Sequence, residues 1–555
     1  MARASSLAPL YAALVAIRVW SALRGHAYIH PDEFFQSGES AFGDVFGLDT
    51  RKMWEFQPSF SCRSMASLRL VNLPASIYAA LSPERAPKAS TLFYLQRLTF
   101  LAASFILDYA VFCLAPRTRR LSALCLLAAS SSILTFQVRP FSNSVESTVL
   151  ALSLLAYRSA LEHLSPPAAV VPSSPHLASA ALGALAALGL FSRFTFVLFF
   201  LPIGVAFLVT LGTSPRSRPS SRLAALLSAA AAFATIAAAH VAYDSRYYAR
   251  GTRWVLAPFN AFTYNMRTQN VALHGVHPRW LHALVNLPMI VGAAPVATLI
   301  WAAVVRCKRR SRSGSVDKRV SDRPAPGVSS AVLSSIIVTS LVGLSISPHQ
   351  EPRFLLPLVV PTILLFHRHL GSASWRGAAR GTKTAILVLF AVQQTLQLFF
   401  FGFAHQAGLV PALLHIDRHI VPDLTPLEGR TQTPTKIYFW KTFMVPRHLL
   451  PSLSRSDEAS TDRRAHIVAS NTVTAVELGR AVQEDHEGAA TSLSYVVAPT
   501  WAFLELAQHL DFARVDIVET FTPHLDMDHI PEMVGAVRKT SPKTGLGLVI
   551  ATVQP

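Results

Sequence analysis

The sequence predicts an α-helical polytopic membrane protein that ends in a small α/β domain outside the bilayer. Three observations carry that prediction. Hydrophobic residues make up 51% of the 555, charged residues only 15%, and mean hydropathy is +0.37; soluble domains carry about 25% charged residues. Eleven stretches approach the roughly 20 apolar residues that a helix needs to cross a bilayer. From about residue 460 onward, by contrast, the apolar runs shorten and turn β-rich.

The expected spans cover residues 7–24, 91–115, 121–138, 146–162, 178–192, 194–212, 223–241, 281–305, 329–346, 353–367 and 383–403. The first run is interrupted by Arg18 and lacks a small-residue cleavage site, so it reads as a retained span. Residues 65–82, with Arg69 and Pro74, are amphipathic and suit the membrane interface. Basic clusters at 117–120, 213–222, 306–328 and 368–383 fall on one side of the membrane if the N-terminus is cytoplasmic. The same parity places 25–90, 139–145, 242–280, 347–352 and the tail after about 404 on the other side. Two domains are expected: a membrane catalytic domain over 1–405 with an extramembrane loop at 25–90, and a C-terminal domain over 406–555. In the tail, Ala465–Ser470 and Ser494–Ala498 read as strands, and Ala475–Glu484 and Trp501–His509 as helices.

The net charge of +19 argues for no nucleic acid, because its clusters sit beside apolar runs as cytoplasmic loops do. The four cysteines have no metal-ligand spacing and indicate no disulfide framework. His26, His30, His349 and His405 lack metal-helix spacing, so neither a metal nor a cofactor is expected. No internal repeat is evident, which counts against a transporter of polyprenyl-phosphate lipids.

Chemistry is concentrated in the first loop. His30–Pro31–Asp32–Glu33–Phe34–Phe35–Gln36 reads as a helix start, with Pro at the first position and acids in the first turn. Successive helical residues diverge by about 100°, so Asp32 and Glu33 cannot share a face. Two readings stay open from these residue types: a capping turn at the membrane surface, or one carboxylate addressing a substrate hydroxyl. A second set is the arginines on that same side: Arg139, Arg193 and Arg353. Such residues snorkel or pair with acids, here Glu146 and Glu351, or else they form a cationic floor for a lipid phosphate. Trp54 and its neighbours in the first loop suit stacking on a sugar or anchoring at the interface.

Together these motifs resemble a known family. Tyr28–Ile29–His30–Pro31–Asp32–Glu33–Phe34–Phe35–Gln36–Ser37, Trp54–Glu55–Phe56, Cys62–Arg63–Ser64 and His349–Gln350–Glu351–Pro352–Arg353–Phe354 are similar to the endoplasmic-reticulum mannosyltransferases that use dolichyl phosphate mannose. Arg139–Glu146, Phe191–Phe196, His405–Gln406–Ala407–Gly408, Phe439–Trp440–Lys441–Thr442 and Phe521–Thr522–Pro523–His524–Leu525 resemble the subgroup acting on glycosylphosphatidylinositol (GPI) precursors. Pro352 departs from relatives, which commonly carry an acidic residue before the Arg-Phe pair.

The resemblance implies a GT-C fold in the endoplasmic-reticulum membrane and a luminal site. It implies inverting, α1,2-linked transfer of mannose from dolichyl phosphate mannose to the third mannose of a GPI precursor. The third GPI mannosyltransferase, or a transferase acting on lipid-linked oligosaccharides, is the nearest alternative. Asp32 is the expected base, with Glu33 as alternative base or hydrogen-bonding group. Arg353, His349, Arg139 and Arg193 are expected at the donor phosphate. The substrate contacts expected are His30, Gln36, Trp54, Glu55, Arg63, Asn143, Glu146, His405, Gln406 and Lys441. The partners implied are the lipid-linked precursor, the lipid-linked donor and the membrane.

Overall fold

A computed structural model describes residues 2–83, 87–164, 176–213, 218–273, 275–312, 328–424, 435–454, 465–487, 493–510 and 513–554. Most of the basic linker expected at 306–328 and part of the loop at 213–222 lie outside the described residues. The chain forms two compact units that interleave along the sequence. One contains residues 1–22, 53–71 and 98–396; the other contains 23–52, 72–97 and 397–555.

The first unit is helical. Taking the whole chain, six described helices are long and apolar enough to cross a membrane: Leu7–Arg24, Ala89–Leu114, Phe196–Thr213, Pro219–Ala249, Pro352–Leu370 and Arg380–Ala404. The helices His282–Val291 and Ala293–Val305 are long and apolar enough only when taken together, and they are bent by 120°. The bend falls at Gly292, whose φ of +97° is open to glycine but strained for other residues. His176–Ser192 and Ser330–Ile346 are apolar but shorter. The stretch expected as a span at 121–138 is divided into Arg120–Ala128 and Ser131–Leu134. At that break the Ser131 backbone N–H and hydroxyl both donate to Gln394 Oε1 at 2.8 Å. The Gln394 oxygen thus satisfies a backbone N–H left over where the helix breaks.

Arg18, which interrupts the first apolar run, is fully buried. Its Nη1 and Nη2 meet Asp108 Oδ2 and Oδ1 at 2.5 and 3.1 Å. The Tyr11 hydroxyl donates to the same carboxylate at 2.8 Å. A forked pair of this kind is how an intramembrane arginine is accommodated.

The second unit holds a five-stranded sheet: β1 (Thr435–Trp440), β2 (Ala465–Ser470), β3 (Ser494–Pro499), β4 (Arg514–Phe521) and β5 (Leu548–Gln554). Their order is β2-β1-β3-β5-β4. The first three are parallel, while β5 runs antiparallel to β3 and β4. Every residue of β3 is buried, as expected for a central strand covered on both faces. Helices Ala475–Glu487 and Thr500–Leu506 supply Leu478, Val482, Phe503 and Leu506 to a core with Tyr438, Trp440, Val496 and Val549. β1 begins about 25 residues before the point where the sequence pattern changes.

The same unit contains the start of the first loop. Ala27 and Tyr28 donate their backbone N–H groups to the carbonyls of Gly402 and His405 at 3.2 and 3.0 Å. The Tyr28 hydroxyl donates to the Met444 carbonyl at 2.9 Å, and its ring meets Phe34 and Phe443 edge-on. His405 pairs in turn with Leu525 in an isolated bridge. Residues far apart in sequence thus anchor the approach to Asp32.

Candidate active site

Pro31, which has no N–H to leave unsatisfied, precedes the single helical turn Asp32–Phe35. Its carbonyl and that of His30 accept the first turn's backbone N–H groups at 3.0–3.1 Å. The two acids then meet different surroundings. Glu33 is fully buried, and its Oε1 lies 2.7 Å from Arg97 Nη2, itself 1% exposed. Asp32 retains 10% side-chain exposure. Its Oδ2 accepts from Gln36 Nε2 at 2.6 Å, and its backbone N–H donates to His30 Nδ1 at 3.2 Å. That contact places the proton of a neutral His30 ring on Nε2. The motif's His30, Asp32 and Gln36 are therefore one hydrogen-bonded group, and Glu33 belongs to an ion pair beneath it.

The arginine set lies in the other unit, where Arg63, Arg193 and Arg353 each meet a glutamate. Arg193 Nε lies 3.1 Å from Glu146 Oε2, and Arg193 Nη1 donates to Ser142 Oγ at 2.8 Å. Glu146 also accepts from Thr195 at 3.0 Å and from Asn143 at 2.9 Å. Arg353 Nε donates to Glu351 Oε2 at 2.5 Å, while His349 Nε2 lies 2.7 Å from Glu351 Oε1. Arg63 Nε donates to Glu55 Oε1 at 3.0 Å. Phe354 carries the Arg193 and Arg353 guanidinium groups at 5.2 and 5.3 Å from its centroid. Burial, then the neighbouring Arg63 charge, hold Arg193 down to about 10, with Glu146 opposing and Arg353 adding to the shift. Arg63 and Arg353 thus both lie within electrostatic reach of Arg193. Both acids named from the sequence, Glu146 and Glu351, are arginine partners. Arg139 is fully buried in the turn before Phe141.

Trp54 stacks on Tyr264 at 4.2 Å and meets Phe60 edge-on. Burial, then the Glu55 charge, push the Cys62 thiol up to about 12. Gln406 is 1% exposed and adopts a left-handed φ of +50°, with its N–H on the Leu525 carbonyl at 2.9 Å. Lys441, also left-handed at +53°, lies just beyond β1 and donates to the Asn471 carbonyl at 3.2 Å. Such backbone strain is characteristic of functional positions. Sequence reasoning missed Arg97, Glu39, His448 and Tyr264. An arginine inside an apolar span was the signal for Arg97; the other three carried none. Among the described residues, no group of three or more metal-ligating side chains occurs.

The fold is that of a GT-C glycosyltransferase embedded in the membrane. The structure of ArnT from Cupriavidus metallidurans in the apo state matches 99% of this chain and 98% of its own, with a TM-score of 0.54 at 13% identity. The undecaprenyl-phosphate-bound form gives 0.51 at 12% identity, with the same coverage. Residues 9–450 match the Alg9-like mannosyltransferase family, and the chain belongs to it. The human GPI alpha-1,2-mannosyltransferase 4 is 33% identical over 80% of this chain and 76% of its own. GPI mannosyltransferase 4 of Aspergillus oryzae is 30% identical over 79% and 77%. These relatives support a GPI mannosyltransferase activity.

Proposed function

We propose that the protein transfers mannose from dolichyl phosphate mannose, with inversion and in α1,2 linkage, to the third mannose of a GPI precursor. The reaction belongs to the luminal face of the endoplasmic-reticulum membrane. The acceptor hydroxyl oxygen attacks the anomeric carbon, the bond from that carbon to the phosphate oxygen breaks, and dolichyl phosphate departs. The hydroxyl proton passes to Asp32. A phosphate leaving group needs little protonation, so one base and fixed cations are sufficient chemistry.

The observation that carries this assignment is the divergence of the two neighbouring acids. Glu33 is committed to buried Arg97, whereas Asp32 is oriented by Gln36 and keeps some exposure. We assign the donor phosphate to Arg353 and Arg193, with His349 and Arg139 in support. The glutamates fix the Arg353 and Arg193 guanidinium planes before substrate arrives, which is the preorganisation that phosphate recognition uses. Trp54, Arg63, Glu55, Asn143, His405, Gln406 and Lys441 are assigned to substrate contacts.

The test is the GPI intermediate that accumulates in cells lacking the protein. A precursor with three mannoses and no fourth is the expected result. A precursor stopped at two mannoses assigns the third transfer instead, and an undisturbed set of intermediates removes the reading.

A further inference from the structure

Beneath the Asp32 turn lies a buried carboxylate–histidine pair that the proposed mechanism does not use. Glu39 and His448 are both fully buried. Glu39 Oε2 accepts the backbone N–H of His448 at 3.0 Å and lies 2.8 Å from its Nδ1. Glu39 Oε1 accepts the backbone N–H of Arg51 at 2.8 Å. A buried carboxylate persists only when such donors meet it. Here they come from positions 12 and 409 residues away, so the contact joins the first half of the first loop to the segment between β1 and β2.

The His448 ring is wedged against the chain just after Gln36. A Cβ added to Gly38 would lie 2.6 Å from His448 Nε2 and 2.9 Å from Gln96 Oε1, so that position has room only for glycine. Phe42 meets the His448 ring edge-on at 5.5 Å, and Phe34 meets it at 6.1 Å. Gln96 Nε2 donates to Ser37 Oγ at 3.0 Å, and the Ser40 hydroxyl donates to the Phe35 carbonyl at 2.8 Å. Residues 37–40 are thus each held from outside the turn or pinned back onto it. Gln36, the side chain that orients Asp32, is the residue immediately before them.

We propose that Glu39 and His448 are positioning residues, which fix the backbone after Gln36 so that Gln36 holds the Asp32 carboxylate in one orientation. The proposal rests on Asp32 being the base. Retaining two buried polar groups where apolar ones would pack as well is consistent with a role in geometry rather than in stability alone. It also gives the C-terminal segment around residue 448 a part in the chemical step.

The experiment is a double-mutant cycle on the full-length protein in microsomes, with transfer from dolichyl phosphate mannose measured per folded molecule. Glu39→Gln and His448→Gln should each lower kcat by on the order of 10- to 100-fold, because a small misplacement of a reacting group has effects of that size. KM for the donor should stay unchanged. In the Asp32→Asn background, Glu39→Gln should have no further effect, since the group it positions is gone. Wild-type kcat in both single variants, or losses that multiply in the double variant, overturns the positioning role. If Glu39→Gln does not fold, Gly38→Ala displaces His448 with both partners retained; a reduced kcat there supports the proposal and a wild-type kcat overturns it. Failure of the underlying reading is separate: Asp32→Asn alone would then keep its activity.

Discussion

The Asp32–Phe35 turn and the arginine cluster are both rich in charge but use it differently. In the turn, two adjacent acids part company: Glu33 is spent on buried Arg97, and Asp32 is set by an amide at the edge of solvent. In the cluster, Arg63, Arg193 and Arg353 each have a glutamate within 3.1 Å. Three arginines and three glutamates sum to zero formal charge, so the cluster is a rigid frame of guanidinium groups and not a simple positive patch. A motif's charge says little about its role until each group's partner is known. Our expectations follow from that difference.

The largest effect expected is on Asp32. Asp32→Asn keeps the size and the Gln36 contact but removes basicity, so transfer should fall by on the order of 10²–10⁴ while protein level and thermal stability hold. Normal transfer by that variant would equate the two acids and dissolve the contrast. Next comes Arg97→Ala, which leaves Glu33 buried without its ion-pair partner. It should cost about 3–5 kcal/mol of stability, seen as a lower Tm and poor accumulation in detergent-solubilised membranes. Adding Glu33→Gln should recover part of that loss, and no recovery would break the account of the pair.

Arg353→Ala sharpens the other half of the comparison. Removing one partner of a buried, hydrogen-bonded charge pair costs about 2–5 kcal/mol, and here the loss should appear in donor saturation and not in acceptor binding. Arg353→Lys should restore only part of it, because the forked geometry is lost. Unchanged donor saturation in Arg353→Ala would take the phosphate away from this arginine.

The smallest effect concerns pH. Burial holds His524 down to about 3, with Asp526 opposing, and burial lowers His405 as well. Below the ordinary value near 6.5 the unfolded chain takes up a proton that folded His524 refuses. Stability is therefore fully present above about pH 6.5 and declines as pH falls toward 3. Tm should drop between pH 7.5 and 5.5, and His524→Gln should flatten that drop.

Much of this was legible in the sequence. Composition and apolar runs gave the membrane class, and β-rich runs gave β2 and β3 with the helix between them. The turn before Phe34 was marked by Pro31 and its acids, whose 100° divergence predicted two different surroundings. β1 was passed over because its neighbours in the sheet, β2 and β3, lie far along the chain, and no local spacing records those pairings. The Glu39–His448 contact was invisible for the same reason. It joins positions 409 residues apart, and no local spacing records a pairing made by the fold. The interleaving of the two units has the same cause: segments 23–52 and 72–97 join 397–555 through contacts such as Tyr28 on His405.

Asp32→Asn and Glu33→Gln, compared in one microsomal preparation, separate the base from its neighbour. Mannose transferred from dolichyl phosphate mannose to a three-mannose GPI precursor is measured per folded molecule. Asp32→Asn should lose at least on the order of a hundredfold, while Glu33→Gln, whatever its yield, should transfer mannose at a near-normal rate once folded. The reverse pattern, with Asp32→Asn active and Glu33→Gln silent, would contradict it.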